Sequence, residues 1–391
     1  MRVLQFGRFW HAAHGGIERH AALLSQSLAA AGVDLVNLVA APDAQARDTQ
    51  MAPGYRLVQA PSHGMFASTA VSPALLLRAG QLHREKPFDL VHLHFPDPLS
   101  HLAALQFPRR VRRVVTWHSD VVRQKRLLAL YGPFMRHFVS RADAVVAATP
   151  AHFESSTQIP ASLPQARRHV IPYGLDFAAL ALDVRTERLC AALRQDAAGR
   201  PLVFALGRHV YYKGFDVLVE AMRQVDARLV LGGDGPLRVQ LEAQVAAAGL
   251  QDRIVFPGRI PEPDLRAYFH ACDVFCLPSV ERSEAFGLVQ LEAMACGKPA
   301  VCTQLHNGVN VVNLDGETGL AVPVRDAGAL AGALNRLLLD GGLRQRLGDN
   351  ARARAWGHYS LAAMARQHID LYTRLCAPRS AADRGDGPQA T

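Results

Sequence analysis

Short apolar runs rich in leucine and β-branched residues alternate with longer amphipathic stretches from the first residues onward: RVLQFG, GGIERHAALLSQSLAAAG, VDLVNLVA, and later FDLVHLHF, RRVVTWHS and ADAVVAAT. Strands spaced by helices pair in parallel, because a chain returning through a helix re-enters the sheet in the same direction. The rhythm restarts after Arg200 with PLVFALG, the helical FDVLVEAMRQV, then ARLVLGGDG, PLRVQLEAQVAAAG, RIVFPG, DLRAYFHAC and DVFCLPS. The pattern predicts an α/β chain of two doubly wound halves, and 391 residues suffice for each to bury its own core. The boundary is expected between VIPYGLDF and Arg200, giving an N-terminal domain over 1–180 and a C-terminal domain over 181–360. A last helical pattern, LAAMARQHIDLYTRLC (about 360–376), follows a break around WGHYS and is expected to pack back on the first domain. Residues 377–391 have almost nothing to bury and are expected to be disordered.

Hydrophobic content of 49% and charged content of 20% suit an ordinary globular protein and exclude a disordered one. The start, MRVLQFGRFWHAAHGG, has no basic segment followed by a long apolar one, and no apolar run reaches the roughly 18 residues of a spanning helix. The expectation is a cytoplasmic protein. Six cysteines show neither Cys-x-x-Cys spacing nor the density of a disulfide scaffold, so they read as reduced core residues. The net charge of +9 is uneven: residues 1–180 hold 19 Lys and Arg against 11 Asp and Glu, whereas residues 181–391 hold 24 against 23. Much of the excess lies in FPRRVRRVV and VVRQKRLLALYGPFMRHF, through Arg109, Arg110, Arg112, Arg113, Arg123, Lys125, Arg126 and Arg136. Such a face is either simply solvated or sits on anionic headgroups at the inner membrane surface. No nucleic-acid-binding motif accompanies it, and no nucleic-acid partner is expected.

In open α/β sheets, ligands collect at the carboxyl ends of strands, where helix N-termini present free N–H groups, so the cleft between two such sheets is the natural site. Gly15 and Gly16 follow the first strand where a helix begins, which lets an anion approach the backbone, although the Gly-x-Gly-x-x-Gly of a dinucleotide site is absent. Arg208 and Lys213 share the loop of ALGRHVYYKGFD; a fork and a point charge together suit a diphosphate, or are two ordinary exposed cations. SEAFGLVQLEAMACGKP (283–299) sets Glu284 and Glu292 eight positions apart in an apolar segment, where carboxylates are costly unless paired. With a helix starting near Phe286, the N–H groups of Gly287 and Leu288 face an anion, and Glu292, about 7 to 9 Å further along, can accept hydrogen bonds from a ribose diol. That spacing fits a sugar nucleotide. His92 and His94 share a strand face without a further ligand evident nearby, and read as core or cleft-lining; His11 and His14 flank the glycine loop on a candidate acceptor side.

SEAFGLVQLEAMACGKP resembles the Glu-x7-Glu motif of retaining glycosyltransferases of GT-B family 4. The resemblance continues through GGIERH, VIPYGLDF, GRHVYYKGFDVLVEAM, LGGDGPLR, FPGRIPEPDL and DGETGLAVP, over nearly the whole chain. Within the family, SEAFGLVQLEAMACGKP and NGVNVVNLDGETGL look most like bacterial mannosyl- and rhamnosyl-transferases that build surface polysaccharides and lipopolysaccharide from GDP-sugars. The resemblance implies a GT-B fold, two Rossmann-like domains facing a central cleft, with the acceptor on the first domain and the nucleotide-sugar donor on the second. It also implies roles. Arg208 and Lys213 match the pair that neutralises the donor diphosphate, Glu292 the ribose carboxylate, and Glu284 the group on the transferred sugar, with Phe286, Gly287 and Leu288 beside it. Gly16 matches the glycine packed on the diphosphate, His118 a histidine on the donor sugar, and Arg259 and Ile260 the backbone that meets the base. One departure is that TQLHNGVNVVN (303–313) lacks the Pro-Glu that many relatives carry, which bears on the donor sugar and not on the diphosphate cluster.

The expected reaction is transfer of a hexose, mannose or a 6-deoxyhexose, to a glycan acceptor, with lipid-linked glycans among the candidates. No residue is an evident covalent nucleophile, so a same-face substitution follows from the resemblance. No Asp-x-Asp pair is present to hold a divalent ion, so neither metal nor cofactor is expected. The alternatives are a UDP-sugar-dependent transferase of the same fold, a nucleotide-sugar epimerase and a non-catalytic sugar-nucleotide binder.

Overall fold

The computed structural model describes residues 1–9, 16–66, 69–121, 125–281, 284 and 286–377. The chain divides into two units, one formed by residues 1–174 together with the chain from 361 onward, the other by residues 175–360. The crossing after Gly174 precedes the expected 180 because residues 175–177 belong to the second core. Leu175 N–H donates to the Tyr359 carbonyl at 2.8 Å, and Phe177 packs with Phe286, Met294 and Tyr359.

The first unit runs β1 (Arg2–Phe9), α1 (Gly16–Ala30), β2 (Asp34–Ala40), β3 (Arg47–Ala52), β4 (Tyr55–Ala60), a ribbon of β5 (Met65–Phe66) and β6 (Thr69–Ala70), and α2 (Pro73–Glu85). It continues through β7 (Leu90–Phe95), α3 (Pro98–Ala104), β8 (Arg112–Trp117), α4 (Lys125–Ser140), β9 (Ala144–Ala147), α5 (Pro150–Ser155) and β10 (Arg168–Val170). The sheet order is β10-β9-β8-β7-β1-β2-β4-β3, parallel except for the edge strand β3. That edge strand is polar and exposed (RDTQMA), which is why no strand period stands out there.

The second unit runs α6 (Val184–Asp196), β11 (Leu202–Leu206), α7 (Phe215–Ala221), β12 (Arg228–Gly232), α8 (Arg238–Ala247), β13 (Ile254–Gly258), α9 (Glu262–Ala271) and β14 (Val274–Leu277). After α10 (Leu288–Ala295), β15 (Ala300–Thr303), α11 (Gly308–Val312), β16 (Gly319–Val322), α12 (Ala327–Leu339) and α13 (Gly341–Tyr359) complete it. Its six strands are all parallel, ordered β13-β12-β11-β14-β15-β16. The segment WGHYS is not a break until its last residue: Trp356 donates to the Ala295 carbonyl at 3.2 Å and Tyr359 is buried, so α13 stays helical to Tyr359.

The last helix, α14 (Leu361–Cys376), belongs to the first unit. Met364, Ala365, Leu371 and Tyr372 pack with Val3, Leu24, Leu28 and Leu35 of β1, α1 and β2. The expected tail beyond Ala377 lies outside the described residues. All six cysteines are free, three of them fully buried. Among the described residues, no helix is long and apolar enough to cross a membrane.

Candidate functional site

In each sheet the first strand sits centrally and the connections wind outward on both sides of it. The loops following the first and fourth Rossmann strands therefore diverge at the carboxyl edge and leave a crevice. In the second unit these loops follow β11 and β14, and they carry Gly207 to Gly214 and Pro278 to Gly287.

Gly214 takes φ +64°, and a Cβ there would come within 2.1 Å of the Pro278 carbonyl oxygen, so glycine lets the two loops meet. Lys213 ends the turn before it, and its side chain lies across Gly207, where a Cβ would approach Lys213 Cε to 3.1 Å. Its Nζ donates to Glu284 Oε2, and the two side chains are only 11% and 12% exposed. Ser279 Oγ donates to the same oxygen at 3.1 Å, Thr303 Oγ1 holds the Ser279 carbonyl, and Asn307 Nδ2 donates to the Glu284 carbonyl at 2.8 Å. Two desolvated charges are costly unless paired and hydrogen-bonded, and this pair is both. Arg208 is exposed and its guanidinium has no ion-pair partner among the described residues. The predicted Arg208, Lys213 and Glu284 thus lie on the two loops of one switch point.

The remaining predicted residues of this unit divide between solvent and core. Glu292 is half-buried, one turn into α10. That helix starts at Leu288, two residues later than expected, because Gly287 caps it at φ +64° with Leu277 Cδ2 only 2.5 Å from where a Cβ would be. Leu288 is 42% exposed, whereas the Phe286 ring is buried among Leu291, Met294 and Tyr359 and leaves only its main chain for a ligand. Ile260 is buried against Gly232, while Arg259 is exposed beyond β13. The glycines of LGGDG were not assigned from the sequence. Gly233 donates to Gly258 at 2.8 Å, Gly207 to Gly232 at 3.1 Å, and His209 to the Asp234 carbonyl at 2.9 Å. These bonds lace the loops after β11, β12 and β13 side by side, and a Cβ on Gly233 would fall 2.0 Å from the Gly207 carbonyl oxygen. The cluster of three glycines in five residues was the available signal.

The first unit builds its strand ends differently. Gly16 opens α1, while Gly15, His11 and His14 lie outside the described residues. His118, just after β8, uses both ring nitrogens: Nε2 bonds His94 Nδ1 at 2.9 Å and Nδ1 bonds the Tyr173 hydroxyl at 2.9 Å. His92 is likewise occupied, by Thr116 Oγ1 at 2.7 Å and the Tyr372 hydroxyl at 2.6 Å, so it belongs to the core network. His94 does not pair with His92 as a ligand set; it faces His118 and His20, with ring centroids 5.2 and 5.6 Å away. Burial pushes His20 and His92 well below the ordinary histidine pKa, His94 down to about 3 and His368 down to about 4. These rings are neutral near pH 7. In the basic face, Arg112 pairs with Asp143 at 3.2 Å and Arg113 holds the Phe107 carbonyl at 3.0 Å, while Arg109, Arg110 and Arg136 are exposed. Arg123 lies outside the described residues.

Two family descriptions cover most of this chain: Glycosyltransferase Family 4 over residues 14–179, and Glycosyl transferases group 1 over residues 194–354. The O-antigen chain mannosyltransferase C of Escherichia coli is 30% identical over 381 residues, spanning 97% of this chain and 100% of that protein. The D-rhamnosyltransferase WbpZ of Pseudomonas aeruginosa is 34% identical over 355 residues, spanning 90% of this chain and 91% of that protein. Among solved structures, the sucrose-phosphate synthase of Thermosynechococcus elongatus superposes with a TM-score of 0.67 at 26% identity, covering 96% of this chain and 98% of that one.

Proposed function

The chain belongs to glycosyltransferase family 4, with the two Rossmann-like units of the GT-B fold, and from that premise we propose a retaining hexosyltransferase that uses a GDP-sugar. The sugar is mannose or a 6-deoxyhexose and the acceptor a glycan of a surface polysaccharide or lipopolysaccharide, as the names of the two relatives suggest. The observation that carries the reading is the convergence of Arg208, Lys213 and Glu284 on the two loops of one switch point.

When a nucleoside diphosphate leaves a sugar, negative charge grows on the phosphate oxygens, and preorganised cations stabilise it there. Lys213 is held nearly buried by Glu284, and Arg208 stands free to close on the second phosphate as a fork. Glu284, steadied by Ser279 and Asn307, faces the transferred sugar, and Glu292 receives the ribose diol. The departing phosphate oxygen takes the acceptor's proton as the acceptor attacks from the same face, which retains configuration without a covalent sugar–protein intermediate. His118 serves the donor sugar by exchanging one of its present partners, His94 or Tyr173, for a sugar hydroxyl. With two cations on the diphosphate, no divalent ion is required and turnover persists in EDTA. The exposed Arg109, Arg110 and Arg136 suit peripheral contact with anionic headgroups, which brings a lipid-linked acceptor close.

Calorimetric titration of GDP, UDP and ADP into the protein in EDTA tests the reading. One GDP site with much weaker UDP and ADP is expected. Selective UDP binding would redirect the donor to a UDP-sugar, and heat from none of the three would remove the metal-free diphosphate site.

A further inference from the structure

A second cluster, outside the diphosphate-binding loops, lies wholly within the first unit. His20 on α1, His94 on β7 and His118 after β8 each bring one ring nitrogen to within 4.8 Å of the other two. The three residues have exposures of 8%, 2% and 9%. Among the described residues, Nε2 of His20 has no hydrogen-bond partner. A buried polar nitrogen left unpaired is costly, so the unpaired His20 nitrogen beside two further imidazoles points to something that binds there.

We propose that His20, His94 and His118 form a binding site for a borderline divalent transition-metal ion of the Zn2+, Co2+ and Ni2+ class. Imidazole nitrogen selects these ions over Mg2+ and Ca2+, which take oxygen ligands, and the grouping contains no carboxylate. The nearest nitrogens, on His94 and His118, already stand 2.9 Å apart. Tetrahedral ligation at about 2.0–2.1 Å per bond needs nitrogens roughly 3.3 Å apart, so that pair opens slightly while His20 closes in. The other nitrogen of His118 rests on the Tyr173 hydroxyl at 2.9 Å, the outer contact that orients metal-bound histidines. His92 packs against His94 with ring centroids 4.7 Å apart and fixes that ring from behind.

His118 is common to this site and to the donor-sugar contact proposed above, yet metal binding is read without nucleotide, so the metal site and the GDP site can fail separately. The test uses untagged full-length protein stripped with EDTA, dialysed, and titrated calorimetrically with Zn2+, with Co2+ followed by visible absorption. One site per chain is expected, with the intense visible bands of four-coordinate cobalt and no competition from Mg2+. His20→Gln and His94→Gln, each checked for folding by circular dichroism, should weaken Zn2+ binding by more than about 100-fold, beyond the cost of losing an outer-shell contact. His306→Ala, at an exposed histidine of the other unit, should leave it unchanged. Absence of a stoichiometric site in the wild type, binding that survives in a folded His20→Gln variant, or equal loss in His306→Ala would each overturn the proposal.

Discussion

The two units share the order of six parallel strands, yet they solve the problem of polar groups at the centre of the sheet in opposite ways. The second keeps a full positive and a full negative charge, Lys213 and Glu284, nearly buried and paired beside an exposed Arg208. The first gathers His20, His92, His94 and His368 in uncharged form and satisfies His92 and His118 with hydroxyls from Thr116, Tyr372 and Tyr173. Charged groups suit a ligand that arrives and departs with charge. Neutral imidazoles and hydroxyls suit partners that keep the same charge throughout, such as sugar hydroxyls or a resident metal ion. The shared parallel order therefore sets where a site forms, and the side chains around it decide what it can recognise.

Acid should separate the units most widely. A histidine buried in neutral form binds its proton less readily folded than unfolded, so below the unfolded pKa of about 6.5 the unfolded chain gains protons that the folded one refuses. Stability contributed by His94 and His368 is complete above that pH and is lost as pH falls toward about 3 and about 4, their folded values. Each such histidine costs about 1.4 kcal/mol one pH unit below 6.5, and the four together up to about 6 kcal/mol. Hydrogen exchange in EDTA at pH 5.5 should show β7 peptides opening well before β11 peptides; simultaneous opening would erase the contrast.

The charged cluster is probed next by truncation. Lys213→Ala or Arg208→Ala should lower turnover by a factor on the order of 100 or more, the loss that follows removal of one preorganised electrostatic contact. Near-normal rates of nucleoside diphosphate release in both variants would leave the second unit without its catalytic distinction. Glu292→Ala is expected to weaken GDP binding by about 10-fold or more, the range for a hydrogen bond to a charged group, in the same calorimetric titration. Asn307→Ala touches the site only through the Glu284 carbonyl, so a change of only a few-fold, about 1 kcal/mol, is expected in kcat at unchanged GDP affinity.

The second unit's site was the more legible because its residues announce themselves. Two cations in one loop and two carboxylates in an otherwise apolar segment are costly where they stand, and that cost is visible in one dimension. Even so, the sequence did not show that Phe286 is an anchor of the core, that the helix starts at Leu288 behind Gly287 rather than near Phe286, or that Asn307 supports Glu284. The first unit's network was hidden. His20, His94, His118, Tyr173, His368 and Tyr372 are spread over most of the chain, and neutral rings are inexpensive to bury, so no single stretch looks unusual. Their association depends on β7 and β8 lying side by side and on α14 returning to the first core. The alternating runs predicted the parallel sheets, but the polar edge strand β3 carried too little apolar signal to be seen.

The return of α14 has a consequence for how the molecule is made. Because the second unit is inserted between residues 174 and 361, the unit whose chain begins to leave the ribosome earlier is also the one completed later. Until residues 361–376 emerge, the ring of His92 lacks the Tyr372 hydroxyl, and Val3, Leu24 and Leu35 lack their cover. The inserted unit is complete one helix earlier. Ribosome-bound intermediates should therefore present a protease-resistant second unit beside a first unit that still waits for its final sixteen-residue helix.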